Sequence, residues 1–588
     1  MRQLIERGRR DPGGALLVLA LVLVALIYAP VLGRGVVAYD DPWIVGSNWI
    51  ARTPSWRSLH AIWFDLSPAT RLVLGAEYLP VRDLSVMADF AAWGTWWGGH
   101  HLTSVVVYEA AIALWFAAFV AFGIDRRIAG LAVLFWALHP GHAESVAWLA
   151  ERKGVLGVMF AGACAVGYAK YRAGSSARYL ALAIACGVLA VWSKAPAAFA
   201  VAALVGLELA LPARRVSWRR SLGGLAAIGA AALAAYVPVV VLALRYAIVG
   251  ATAHTSRAAL VAGVHGFYLR LAAMAIPNAI AYPIALDGPS PVDLAVGVLG
   301  FAALVAAFAV RRTPTTVRAG AALWAFGWLP ASHLILPLQQ IVVADRLLLV
   351  PTLGVALAAA AGIAAIRNPR FRIALAAAIA IAAALRTLDA QACWRDTVAL
   401  EARAIESSPH DGDAWAMYVE GLDQTGHHDL AERAVADGLA PEHAPHAPRL
   451  ELHEALILDQ DGRHREAMAA MRDAADAGEP RAMTDLAKWL LDAGQLDDAL
   501  AYARRAVEQL PAYAAGQRMR GKVALAAGRP DEALAAFERG YALEHTGVNQ
   551  LNLGLALIAV GRRDDARHYL EPLLNDPDLG PHARDALH

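Results

Sequence analysis

Long apolar stretches separated by arginine clusters occupy residues 15–388, and residues 389–588 turn polar and charged with no comparable apolar run. Runs of this length match the thickness of a bilayer core. They predict eleven spans, at 15–33, 101–123, 128–141, 154–170, 178–193, 196–211, 221–246, 291–310, 319–337, 347–366 and 371–388. Arginine clusters at 7–10, 125–127, 170–178, 214–220, 311–318 and 367–372 fall in the short connections. Short basic loops stay cytoplasmic, so the clusters fix an odd count, a cytoplasmic N-terminus and an external C-terminal part. The basic N-terminus followed by an apolar run resembles a secretory signal. The run is long enough to span and Arg34 follows at once, so it is read as an uncleaved first span. Outside lie a first loop at 34–100 and a second segment at 247–291. Within them, 56–64 (WRSLHAIWF), 84–97 and 267–274 mix aromatic and charged residues as helices lying along a membrane interface do.

The polar part carries a repeat. A glycine followed five residues later by an alanine recurs at Gly426/Ala431, Gly462/Ala467, Gly494/Ala499, Gly528/Ala533 and Gly561/Ala566, at intervals of 32–36 residues. This is the tetratricopeptide period. The glycine closes one helix and the alanine lets the next approach it, giving about five helix pairs stacked as a solenoid able to bind a peptide or protein. The expected fold is therefore all-α: a polytopic helical membrane domain at 1–388, followed by a tetratricopeptide-repeat α-solenoid at 389–588.

Composition supports the membrane reading and narrows the chemistry. The chain is 58% hydrophobic and 18% charged, with a mean hydropathy of +0.44, too apolar for a water-soluble protein of 588 residues. Lys and Arg number 52 against 51 acids, so no basic field invites nucleic acid. Three cysteines, two of them inside apolar runs, make neither a disulfide framework nor a zinc site.

The candidate chemistry gathers at one membrane surface. Asp40 and Asp41 follow the first span as adjacent carboxylates; such a pair is costly at a boundary unless it works, although Asp-Asp-Pro also makes a polar turn. A second group runs from His139 through His142, Glu144 and Ser145 to Glu151, Arg152 and Lys153. His139, His142 and Glu144 offer nitrogen and oxygen ligands for a divalent metal, but a glutamate here also suits a sugar hydroxyl or the orientation of a histidine. Asp345 and Arg346 open a later span on the same side; the guanidinium suits a phosphate, and Asp345 alternatively pairs with Arg346 or Lys194. Carboxylates able to act as a general base, beside cations able to hold a leaving phosphate, form the inventory of a transferase with a lipid-phosphate donor. A transporter would place its ionisable groups near the bilayer midplane instead.

These residues resemble the transmembrane and tetratricopeptide-repeat O-mannosyltransferases and their bacterial relatives, within the GT-C superfamily of polyprenyl-phosphate-sugar transferases. The resemblance is carried by Tyr39-Asp40-Asp41, by 78–85 (YLPVRDLS, containing Arg82), by Trp93-Gly94 with Gly99-His100-His101-Leu102, by 139–148 (HPGHAESVAW) with Glu151-Arg152-Lys153, by Trp192-Ser193-Lys194, and by Ala344-Asp345-Arg346. The chain departs from it at Leu79, Gly154 and Leu347, where Arg, an acid and Tyr are common in the relatives. The resemblance implies inverting transfer of a mannose-like hexose from a polyprenyl phosphate to a hydroxyl acceptor, protein Ser or Thr, on the periplasmic face of a bacterial inner membrane. It implies Asp40 and Asp41 as catalytic residues, with Asp40 the base. It places His139, His142, Glu144, Arg152, Lys153, Asp345, Arg346 and Arg82 around the substrates, with Asp41, His142 and Glu144 as ligands if a divalent metal is used. The repeats would hold a protein or peptide acceptor. The alternative, suggested by Gly154, is a catalytically degenerate, membrane-anchored repeat scaffold for envelope protein assembly.

Overall fold

The computed structural model describes residues 11–46, 48–211, 218–245, 256–280, 282, 289–334 and 342–588. The cluster 7–10, part of the cluster 214–220, parts of the segment 247–291 and the end of the span 319–337 lie outside the described residues. All regular elements among the described residues are helical. Two compact units emerge: one of residues 1–41 and 77–400, the other of 42–76 and 401–588.

The first unit holds a helix at each of the eleven apolar stretches. Six are long and apolar enough to cross a membrane: Pro12–Gly33, Trp97–Ala121, Leu149–Arg172, Trp218–Arg245, Pro291–Ala309 and Pro369–Arg395. The other five, Arg126–Ala137, Arg178–Ser193, Ala197–Ala210, Thr315–Trp328 and Pro351–Ala364, have 12 to 16 residues. At ~1.5 Å per residue these fall short of a ~30 Å core. Prolines cut them: Pro140 follows the first, Pro196 separates the second from the third, and Pro330 follows the fourth. Among the described residues the eleven stretches are thus six helices with the length and composition to cross a membrane and five shorter ones. Large apolar side chains, among them Leu26, Leu233, Leu299 and Ile373, stand exposed on the long helices. Such surface is stable against lipid and not against water, so this is a membrane protein.

Small residues bring these helices together. Thr315–Trp328 packs on Pro351–Ala364. A Cβ on Gly320 would lie 2.6 Å from the Gly354 carbonyl oxygen, and one on Gly354 2.3 Å from that of Gly320. Only glycine at both positions permits this backbone approach, as is common between membrane helices.

The second unit contains five helix pairs: Gly412–Gln424 with His428–Gly438, Pro448–Gln460 with His464–Asp476, Pro480–Asp492 with Leu496–Gln509, Ala514–Ala526 with Pro530–Leu543, and Gly547–Ala559 with Arg563–Leu570. The repeat lattice appears residue for residue. Gly426, Gly462, Gly494, Gly528 and Gly561 all turn with φ between 67° and 82°, a left-handed conformation that favours glycine. Ala431, Ala467, Ala499, Ala533 and Ala566 are all buried at the helix contacts, in the solenoid expected. Enlarging one should overpack the core. Ala499→Phe is expected to cost about 1–3 kcal/mol, read as a lowered thermal transition of the repeats in the full chain and as earlier proteolytic cleavage there.

The segment 42–76 belongs with the repeats. Its helix Pro68–Val73 packs on Pro530–Leu543. The Trp49 ring stacks on His545 at 3.9 Å, and His545 on Tyr541 at 4.4 Å. The helix Trp56–Phe64 forms as the sequence pattern predicts, capped by Ser55 accepting from the Ser58 N–H. It buries Ser58 and Ile62 and leaves Trp56 87% and Phe64 73% exposed.

Candidate active site

The candidate residues within the first unit fall into three groups: an acid loop, a cationic edge and buried anchors. Asp41 is the pinned member of the acid pair. Its carboxylate accepts the Val37 N–H (3.2 Å) and, across the chain, the Ala150 N–H (2.8 Å). Burial pushes it up to about 7, against these two hydrogen bonds and with help from the neighbouring Asp40 charge. Asp40 differs. Among the described residues no hydrogen bond fixes its carboxylate; burial raises it, while Lys153 and then Arg346 act to lower it. A partly buried, unpinned carboxylate beside cations has the properties of a general base.

Lys153 stands at the first residue pair of the helix Arg152–Arg172 and donates to Glu77 (3.2 Å), which also receives Arg82 (2.6 Å). Burial pushes Glu77 up, but Lys153 and Arg82 outweigh it and hold the carboxyl below its ordinary value. Arg82 is buried and donates also to Asp83 (2.8 Å). It therefore supports Glu77 and, through Glu77, Lys153.

Arg346, in the short turn Asp345–Leu347, pairs with Glu144, whose second oxygen accepts the Arg346 backbone N–H (2.7 Å). Its guanidinium lies 5.6 Å from the Trp148 ring centre. Asp345 points elsewhere: Tyr282 (2.6 Å) and Asn278 (2.7 Å) donate to it, and burial with the Glu144 charge raises it to about 7. Asp345 anchors Asn278 and Tyr282 to this turn, and forms an ion pair with neither Arg346 nor Lys194.

A small opening is lined by Arg346, Lys194 and Gly154, with apolar walls from Val158, Ala197 and Leu349 among others. Lys194 reaches it from the end of the helix Arg178–Ser193 and pairs with buried Glu151. Gly154 matters here. A Cβ at that position would lie 2.7 Å from a Glu151 carboxylate oxygen and 3.4 Å from the Lys194 ammonium. A side chain at 154 would therefore press against the Glu151–Lys194 pair.

Arg152 and the two histidines are buried and engaged by other parts of the first unit. Arg152 is 1% exposed; it forms an ion pair with Asp89 (2.5 Å) and donates to Ser104 (3.0 Å) and the His100 carbonyl (2.6 Å). Adjacent helical residues point ~100° apart, so Lys153 faces the acid loop while Arg152 is buried. His142 is fully buried between Tyr108 (2.7 Å) and Thr352 (2.8 Å). His139 caps the turn Pro140–His142, accepting from the Gly141 N–H (3.1 Å), with its other ring nitrogen 3.0 Å from the Ala272 carbonyl. These are packing contacts, and the neighbours explain them better than a substrate does. Among the described residues no group of three His, Cys, Asp or Glu is placed to hold a metal ion, so Asp41, His142 and Glu144 do not form a ligand set.

Glu77 and Asp89, which the sequence reading did not single out, join Glu151 and Lys194 in the ionic framework. The signal of Glu77 and Asp89 was present only as charge in the loop 34–100. A pH dependence follows from the acid loop. A carboxylate can accept a proton only when ionised, and burial raises the Asp40 value, so any step that needs its charged form fails earlier on acidification than with an unperturbed carboxyl. For Asp41 the native state binds the extra proton between the unfolded value of 3.8 and about 7. Its contribution to loop stability is therefore full at low pH and lost as pH rises through 7.

No family model matches this chain, and no curated protein does. Among solved structures, the archaeal oligosaccharyltransferase AglB from Archaeoglobus fulgidus, in complex with an inhibitory peptide and a dolichol-phosphate, is 15% identical at a TM-score of 0.38; the match covers 72% of this chain and 60% of that one. This chain thus spans less than two thirds of that protein. YrrB, a TPR protein with an unusual peptide-binding site, is 21% identical at a TM-score of 0.25, covering 32% of this chain and 97% of its own. MamA is 20% identical at a TM-score of 0.23, covering 29% and 93%.

Proposed function

We propose that the chain is a membrane glycosyltransferase of the GT-C kind, similar to the tetratricopeptide-repeat O-mannosyltransferases, that moves a mannose-like hexose from a polyprenyl phosphate to a protein Ser or Thr hydroxyl on the periplasmic side. The observation that carries the reading is the position of Arg346. It acts on the unpinned Asp40 carboxylate and also lines, with Lys194, an opening whose other walls are apolar. A ligand with an anionic head and a hydrocarbon tail satisfies both halves of that opening.

In the proposed reaction Asp40 takes the proton from the acceptor hydroxyl as its oxygen attacks the anomeric carbon. The bond from that carbon to the phosphate oxygen breaks, and the lipid phosphate leaves with the electron pair. Arg346, Lys194 and Lys153 offset the charge that develops on it. Asp41 holds the loop that presents Asp40, and Glu144 orients Arg346 through two contacts. The repeats supply the protein acceptor, and attack from one face by a single base gives inversion.

The test uses the purified full chain in lipid, a radiolabelled polyprenyl-phosphate hexose and a membrane-protein extract. Label passing to protein is the expected result. No transfer from any of several donor sugars, with envelope proteins still captured through the repeats, would replace this reading by the scaffold.

A further inference from the structure

The connector from the last apolar helix to the repeats makes contacts that a spacer has no use for. Resting on the active-site reading above, we infer that residues 391–397 are part of that site, with Trp394 and Thr397 as positioning residues for the acid loop and Arg346. The helix Pro369–Ala392 ends in the turn Cys393–Arg395, and the helix Thr397–Ser407 begins just beyond it. Asp396 caps this second helix by accepting the Ala399 N–H (2.8 Å).

Three contacts join this stretch to the site, all within the first unit. Arg34 donates to the Gln391 carbonyl oxygen (2.6 Å), and the Ala38 N–H donates to the Thr397 hydroxyl oxygen (2.9 Å). Three successive amides before the acid pair are thereby engaged: Val37 by Asp41, Ala38 by Thr397 and Tyr39 by the Val37 carbonyl. In the third contact the buried Trp394 ring stacks on Trp148, with centroids 5.3 Å apart and planes at 19°. Trp148 in turn meets Tyr39 edge-on at 5.2 Å and supports the Arg346 guanidinium. One indole therefore backs both the residue before Asp40 and the principal cation.

A loop-borne base needs such external support. Catalytic geometry tolerates errors of roughly 0.5 Å, which a loop does not hold by itself. Here the support comes from chain more than three hundred residues away, immediately before the repeat unit. The hydroxyl of Thr397 is the specific requirement, because a valine of the same shape offers the Ala38 N–H no acceptor.

The test compares Thr397→Val, Thr397→Ser and Trp394→Phe with the wild-type full chain in lipid nanodiscs. Hydrogen exchange is followed over residues 34–41, alongside kcat and donor KM for transfer. Thr397→Val and Trp394→Phe are expected to speed exchange in 34–41 and lower kcat by about five-fold, the value of one ordinary hydrogen bond, at unchanged donor KM. Thr397→Ser should behave as wild type. A Thr397→Val chain with wild-type exchange and wild-type kcat overturns the inference and leaves the transferase reading intact. Faster exchange along the whole chain instead of in 34–41 also overturns it, since the effect is then general destabilisation. If the wild-type chain transfers no sugar while Thr397→Val still speeds exchange in 34–41, the transferase reading falls and the connector's hold on the loop remains as a structural fact alone.

Discussion

Asp40→Asn is expected to lower kcat by about 10²–10⁴-fold, the usual range for loss of a general base, with little change in donor KM or thermal stability. The substitution keeps the size of the side chain. It leaves the Asp41 contacts to Val37 and Ala150 in place, so the loop keeps its path. Because burial disfavours the Asp40 charge, its removal costs the fold nothing and slightly favours it. Asp41→Asn should show the opposite pattern. An amide can replace only one of the two acceptors, so one backbone N–H loses its partner and the loop loosens, while the base itself survives. Transfer kinetics and hydrogen exchange over residues 34–41, measured on both variants, separate the two roles.

The second large effect concerns Arg346. Arg346→Ala removes a cation from the opening and strands the Glu144 carboxylate in a buried position. An unpaired buried charge of this kind costs on the order of 3–5 kcal/mol, so the variant should melt early as well as lose transfer. The two losses are separable. Adding Glu144→Gln neutralises the stranded group, and the double variant is expected to regain most of the lost stability while transfer stays absent. Thermal unfolding in detergent and the transfer assay, applied to the four members of the cycle, test this. Recovery of transfer in the double variant would assign Arg346 to folding and not to the phosphate.

The solenoid was legible to the residue because local rules suffice for it. A glycine that must turn left-handed and an alanine that must fit a helix contact leave a periodic mark, and all five glycine–alanine pairs occupy the expected places. The apolar helices were legible as helices, and the short ones at 178–193 and 196–211 nearly to their ends. Pro330 and Pro351 lie inside the stretches 319–337 and 347–366, and the helices there are shorter than hydropathy alone reads.

What the sequence offered for the site was a set of ionisable groups, and it said little of their partners. Asp40, Lys153, Glu144 and Arg346 were identified as ionisable groups at one end of the apolar runs, and electrostatic and hydrogen-bond contacts link them in the folded unit. Arg152 and Lys153 are equivalent on paper; only the helix that seats one against Asp89 and turns the other toward Glu77 distinguishes them. The histidines looked like ligands because a sequence carries no sign of burial, and their partners Tyr108, Thr352 and Ala272 are distant in the chain. Lys194 finds Glu151 from a separate helix, and no spacing rule reaches that far. The grouping of 42–76 with the repeats was equally hidden, because the Trp49–His545 stack joins positions some five hundred residues apart.

The most direct test of a single-base transfer from a lipid phosphate is the anomeric configuration of the product. A donor of known anomeric configuration is supplied to the full chain in lipid, and the glycopeptide formed is analysed by nuclear magnetic resonance. In-line attack assisted by Asp40 gives a product of inverted configuration. A product that retains the donor's configuration, or no glycopeptide at all, contradicts the account.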